Sequence, residues 1–181
     1  MLRITIPSIE RYDEVNNLFI NSKEQHLQLE HSLVSISKWE SKWCKPFLSK
    51  DTMTREETID YIKCMTLTQN IDPAVYLNIT NSILKEVNTY INAPMTATWF
   101  FEDNKKGSPS REVITSEIIY YWMITLQIPV EFQKWHLNRL LTLVKVCNIK
   151  NTPAKKLSRK ELLNRNRALN ESRRRAANSK G

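Results

Sequence analysis

Apolar and aromatic residues are densest between Thr115 and Ile149. Thr115 or Ser116 can cap the start of a helix with a side-chain oxygen. The apolar residues that follow are Ile118, Ile119, Tyr121, Trp122, Met123, Ile124 and Leu126. They cover nearly every direction around the axis, which predicts a helix that is buried on all sides. Pro129 disfavours helical backbone at the preceding residue, so this helix is expected to end there.

A second helix is predicted to begin near Val130. Its apolar residues recur at three- and four-residue steps: Phe132, Trp135, Leu140, Leu143, Val144 and Cys147. This spacing is typical of an amphipathic helix that leans on the buried one. Most of the aromatic residues are expected in the core. The alternative is that Tyr120, Trp135 or His136 forms part of a groove for a partner helix.

The N-terminal half combines a short strand with further helices. Leu2, Ile4 and Ile6 alternate with polar residues, which predicts a strand over 2–6. The segment MTATWFF, 95–101, is rich in β-branched and aromatic residues and is the predicted pairing partner of that strand. Residues 8–25 fit a helix or a second strand equally well.

Helix signals follow along the rest of the chain. The spacing of Leu29, Leu33, Ile36, Trp39 and Trp43 predicts a helix over Leu27 to Cys44. Capping boxes predict helix starts at Thr54–Glu57 and Ser158–Glu161, and apolar spacing predicts a helix from Ile79 to Ile91. The segment EDNKKGSPSRE, 102–112, is predicted to be a loop.

These elements predict a mainly α fold. A single helical domain is expected over 1–151, with a small β pair near the N-terminus. A basic C-terminal helical extension is expected over 152–181. This extension has few apolar residues, so we expect it to be partly disordered.

Composition excludes several classes of function. Only Gly107 and Gly181 are glycines, which excludes the glycine-rich phosphate loops of nucleotide-binding folds. No apolar run approaches the roughly 18 residues of a membrane helix, and the N-terminal sequence does not resemble a secretory signal. The expected compartment is therefore the cytoplasm, with Cys44, Cys64 and Cys147 as reduced packing residues.

The excess of positive charge lies in the last 32 residues of the chain. The net charge is +8; residues 150–181 hold 11 basic and 2 acidic residues, whereas residues 1–149 hold 16 basic and 17 acidic. The basic tail contains Arg165, Arg167, Arg173, Arg174 and Arg175. These side chains could neutralise nucleic-acid phosphates, contact an acidic protein or keep the terminus solvated.

No spacing typical of a catalytic or metal site is present. His26 and His31 are five residues apart, which turns them to different sides of a helix, and no cysteine pair has a two-residue spacing. His136 is expected to be a hydrogen-bonded structural residue. The prediction is a non-enzyme without cofactor or metal. Amphipathicity alone offers partner-binding candidates, each of which could equally be core: Trp39, Trp43, Trp135 and Leu140.

Five blocks of sequence carry a family resemblance. They are LEHSLVSISKWESKWCKPFL (29–48), YIKCMT (61–66), APMTATWFF (93–101), SEIIYYWMI (116–124) and KWHLNRLLTLVKVCNIKN (134–151). Together they resemble the tail assembly chaperones of long-tailed bacteriophages. The resemblance implies a helical protein of the host cytoplasm, absent or scarce in the finished virion, which coats the tape-measure protein and keeps it soluble during tail assembly.

The resemblance also implies which partners to expect, and it leaves two other functions open. The tape-measure protein is the implied partner, with the tail-tube protein and a second copy of this chain as further ones. The first alternative is a structural virion protein of the neck, head–tail junction or tail. The second is a nucleic-acid-binding protein that acts through the basic tail.

Overall fold

The first strand is paired with a segment that lies close to it in sequence. The computed structural model describes residues 1–13, 18–49, 52–100, 113–152 and 159–176. Strand β1, Leu2–Ile6, pairs antiparallel with β4, Gln25–Leu29, in a register that joins Ile4 to Leu27. Between them, β2, Ile9–Asp13, and β3, Leu18–Ser22, form a second antiparallel pair.

Two predictions about this region are wrong. Residues 95–100 form no strand, and β1 pairs with β4 instead. The predicted helix over Leu27 to Cys44 is also shorter, because α1 spans Leu33–Trp43. Gln25 to Leu29 alternates polar and apolar residues, as a half-buried strand does. Ser32 then starts the helix: its side chain accepts a hydrogen bond from the Ser35 N–H, and the Ser35 hydroxyl accepts one from the Ser32 N–H.

The remaining helices confirm the mainly α prediction. They are α2 (Arg55–Met65), α3 (Asn81–Asn92), α4 (Ser116–Thr125), α5 (Leu137–Asn151) and α6 (Arg159–Ala176). Short 3₁₀ helices span Pro73–Asn78 and Val130–Lys134. The capping box of Thr54 and Glu57 is confirmed at the start of α2. The loop predicted at 102–112 and the Ser158 cap lie outside the described residues.

The helix predicted from Val130 begins later. The backbone after Pro129 first makes the 3₁₀ turn, and α5 starts only at Leu137. The Leu137 N–H donates to the His31 carbonyl oxygen at 2.8 Å, so the start of α5 is hydrogen-bonded to the segment between β4 and α1.

Residues of β1, β4 and the helices form one apolar core in the larger unit, Met1–Asn148. Its buried members include Ile4, Ile6, Leu27, Leu29, Leu33, Ile36, Trp39, Tyr61, Ile62, Met65, Val87, Ile119, Met123, Leu137, Leu140 and Val144. The second unit, Ile149–Gly181, contains α6. The predicted domain boundary after residue 151 lies just beyond this division and stays a prediction. No helix in the described ranges is long and apolar enough to cross a membrane.

Candidate functional site

Helix α4 is buried along one side only, which contradicts the prediction of an all-round buried helix. Ser116, Ile119 and Met123 are its buried residues. Tyr121 is 64% exposed and Ile124 is 77% exposed. The main neighbour of α4 among the described helices is α1, so packing covers one side of it and leaves apolar residues on the other.

Three exposed residues of α4 and the half-buried Tyr120 lie together on one side of the helix. Glu117, Tyr120, Tyr121 and Ile124 are related by steps of three and four residues, which brings them together on one side of a helix. We call these four residues the α4 outer face. Exposed apolar residues that cluster on a rigid element are typical of protein-interaction sites, so this face is the candidate functional site.

The start and the middle of α4 are fixed to the body by side-chain hydrogen bonds. The buried Glu40 carboxylate accepts from the Ser116 N–H at 2.7 Å and from the Phe47 N–H at 2.8 Å. It therefore caps α4 in place of the predicted Thr115 or Ser116 side chain, since Thr115 makes no side-chain capping bond. The Tyr120 hydroxyl donates to Gln133 Oε1 at 2.9 Å, which joins α4 to the 3₁₀ helix.

An aromatic stack lies next to Gln133 in sequence. The rings of Phe132 and Trp135 are stacked with centroids 4.1 Å apart, and the Arg139 guanidinium lies 4.0 Å from the Trp135 ring centroid. Trp135 is half-buried. It lines an open pocket of about 340 Å³ together with Lys134, Met95 and Arg139. Trp135 therefore has both a pocket and a cation beside its ring; Trp39 also lines a pocket with Lys45, and Trp43 has Lys42 and Lys45 near its ring.

The other predicted partner-binding residues are held by the protein itself. Trp39 is 2% exposed and donates through Nε1 to the Glu57 carbonyl oxygen, and Leu140 is fully buried. Trp43 is half-buried and donates to Asp60 Oδ2 at 2.9 Å. The structure thus gives Trp39 and Leu140 a packing role and brings neither to the α4 outer face. Whether any of the four binds a partner stays a prediction.

Two ion pairs surround Trp43. Lys42 pairs with Asp60 and Lys45 with Glu57 across α1 and α2. Burial tends to raise the pKa of Asp60, but hydrogen bonds from Lys42 and Trp43 outweigh it and hold that pKa below its usual value. The hydrogen bond from Lys45, with those from Thr54, lowers the pKa of Glu57. Each of these lysines is paired with a carboxylate, so the two pairs add no net charge to the surface that a partner would meet.

Two of the three histidines, His31 and His136, belong to a buried polar cluster. His31 hydrogen-bonds Tyr61 through Nδ1, and its ring lies edge-on to that of His136 at 5.0 Å. His136 Nε2 hydrogen-bonds the Tyr90 carbonyl oxygen at 3.1 Å near the end of α3, so the predicted hydrogen-bonded position of His136 is confirmed. No metal-binding group of three His, Cys, Asp or Glu residues occurs in the described part of the chain.

Burial of His31 predicts a loss of stability in mild acid. Burial, aided by repulsion from His136, lowers the pKa of His31 to about 3, against 6.5 for the free side chain. Between these two pKa values the His31 imidazole is protonated in the unfolded chain but neutral in the folded one. The contribution of His31 to stability is therefore fully present above about pH 6.5 and is lost as the pH falls. From about pH 7.5 to 5, His31 should cost about 2 kcal/mol of unfolding free energy. Urea titrations followed by tryptophan fluorescence measure it.

The matched variants for this prediction are His31→Gln and His26→Gln. His31→Gln keeps a polar group beside Tyr61 but cannot take up a proton, so it should remove about 2 kcal/mol of the pH dependence. His26 is exposed, so its replacement should leave the dependence intact. Full pH dependence in His31→Gln would contradict the prediction.

The basic tail residues lie on α6 and are all exposed: Arg165, Arg167, Arg173, Arg174 and Arg175. Arg167 Nε is 3.4 Å from Glu171 Oε1, and this pair is the one ion pair found among the described side chains of α6. The helix as a whole carries seven basic and two acidic residues.

Comparison of the chain with protein-family models, with curated proteins and with solved structures gave no match. The candidate site therefore rests on the geometry described above.

Proposed function

We propose that the protein is a non-catalytic tail assembly chaperone of a long-tailed bacteriophage, acting in the host cytoplasm. Its partner is the tape-measure protein, which it keeps soluble until the tail tube forms around it. The single observation that carries this proposal is the α4 outer face, where Tyr121 and Ile124 present apolar surface to solvent. The five sequence blocks that resemble such chaperones supply the identity of the partner.

The chemistry of the face suits an amphipathic helix. A tape-measure protein is a very long helix whose apolar stripe would aggregate if it stayed uncovered. A partner helix offers apolar residues at three- and four-residue steps, the same spacing that relates Tyr121 and Ile124. Tyrosine supplies a large apolar contact with few rotatable bonds, which makes it a frequent centre of binding energy.

The hydrogen bonds around α4 favour binding without rearrangement. Glu40 fixes the start of the helix, and the contact between Tyr120 and Gln133 fixes its outer side. A preformed surface loses less conformational entropy on binding than a mobile one. Binding through a preformed surface needs no chemical step and no cofactor. It can therefore be reversed, as a chaperone requires.

Peptide mass spectrometry of purified virions tests the proposal against the structural-virion alternative. A chaperone leaves the tape-measure protein when the tube closes, so its peptides should be absent or present in far less than one copy per particle. The major tail-tube protein in the same sample is the internal control. Many copies per virion would contradict the chaperone proposal and identify a component of the particle.

A further inference from the structure

We propose that α6 binds double-stranded DNA through its phosphates, largely without regard to sequence, in the major groove. This function is separate from the chaperone proposal and rests on residues of the second unit alone. The body has a net charge of −1 over residues 1–149, so the electrostatic attraction of the chain for a polyanion comes from the tail.

The arginines surround α6 instead of forming one stripe. At about 100° per residue, Arg165, Arg173, Arg174 and Arg175 point to different sides of the axis, and all are exposed. A helix that lies in a groove of DNA has phosphates on both flanks, so charges on several sides can be used at once. A helix that binds along a flat acidic surface could use only one side.

A protein groove or a membrane fits α6 less well. Both need an apolar stripe with repeats at three- and four-residue steps. The leucines of α6 are Leu162, Leu163 and Leu169 alone. By sequence spacing Leu162 and Leu169 share one side of the helix and Leu163 lies on another, so the apolar stripe has only two leucines; Leu163 and Leu169 are both exposed. The helix therefore offers charge to a partner and very little apolar surface.

The dimensions of α6 match B-form DNA. Eighteen residues give a helix of about 27 Å, which spans roughly eight base pairs. The major groove of B-DNA, about 12 Å wide, admits an α-helix, whereas that of double-stranded RNA is too narrow for side chains to enter. The chain has no aromatic residue after Trp135, so α6 lacks the stacking platform that single strands need.

The test is fluorescence anisotropy of the full chain with a labelled DNA duplex of about 20 base pairs, titrated between about 50 and 200 mM salt. We expect binding with a log–log salt slope of about −4, as for four or five phosphate contacts. The triple variant Arg173→Gln, Arg174→Gln, Arg175→Gln should bind roughly a hundredfold more weakly and lose about 3 from the slope. Glutamine is a good helix former, so the helix should persist.

The matched control removes three exposed charges from the body: Lys38→Gln, Lys63→Gln and Lys85→Gln. It changes the net charge equally and should leave DNA binding within about twofold of the unaltered chain. The proposal is overturned if the duplex does not bind at the lowest salt, or if the control variant weakens binding as much as the arginine variant. It is also overturned if vesicles with anionic lipid bind α6 while the duplex does not.

Discussion

Capture of the tape-measure protein should fall at least about thirtyfold when Tyr121 and Ile124 are both replaced by glutamine. Contact residues that matter for binding contribute about 1 kcal/mol or more each, so the two together contribute at least about 2 kcal/mol, which is about thirtyfold; glutamine keeps the helix while removing the apolar surface. Neither side chain is part of the buried core, so the unfolding free energy should change by less than about 0.5 kcal/mol. Quantitative pull-down with tagged variants measures the loss.

Leu77→Gln is the matched control for this double variant. Leu77 is 68% exposed, like Tyr121 and Ile124, but lies on the 3₁₀ helix Pro73–Asn78 and outside the α4 outer face. It should capture the partner as well as the unaltered chain. If the double variant captured as much partner as the unaltered chain, α4 would not be the binding surface. If Leu77→Gln lost as much capture as the double variant, the capture would come from nonspecific contact with exposed apolar residues.

Leu140→Ala should lower the unfolding free energy by about 3 kcal/mol. Leu140 is fully buried among the helices, so the change removes apolar contacts and leaves a cavity. The half-buried Leu143 on the same helix is the control, because its truncation should cost about 1 kcal/mol. Urea denaturation followed by fluorescence compares the two.

The comparison of these two leucine variants decides between packing and partner binding at position 140. If Leu140→Ala were as stable as Leu143→Ala but captured the partner poorly, Leu140 would be a contact residue and its place in the core would be contradicted. A large loss of stability, with binding preserved at temperatures where the variant is folded, is the result we expect.

Much of the helical content could be predicted from local signals. The capping box of Thr54 and Glu57 gave the start of α2, and apolar spacing gave α3. These signals act within a few residues, so the sequence displays them directly. The sequence pattern places the start of α1 too early, because Leu29 continues the helical spacing of Leu33 and Ile36 although it belongs to a strand.

The exposure of α4 could not be predicted from its apolar composition. Burial depends on how many neighbours the fold places around a helix, and this information is not local. One signal was available: Tyr121 lies four residues from both Glu117 and Thr125, so polar residues flank it on its own side of the helix. The cap from Glu40 to Ser116 joins residues 76 positions apart in sequence, and no local pattern reveals it.

The pairing of β1 illustrates the same limit. Segment 95–101 has the composition of a strand, but β-propensity mainly reports fit to a half-buried surface and does not choose a partner. Gln25–Leu29 is much nearer in the chain, so pairing it with β1 closes a shorter loop at lower entropic cost.

The most direct test of the chaperone proposal is a pull-down of the tagged chain from the infected cells that produce it, with nuclease treatment and high salt, read by mass spectrometry. Nuclease and salt remove proteins held only through DNA bound to α6. Recovery of one very long helical protein in quantity is the predicted result. Recovery of shell or neck proteins without it would contradict the proposal.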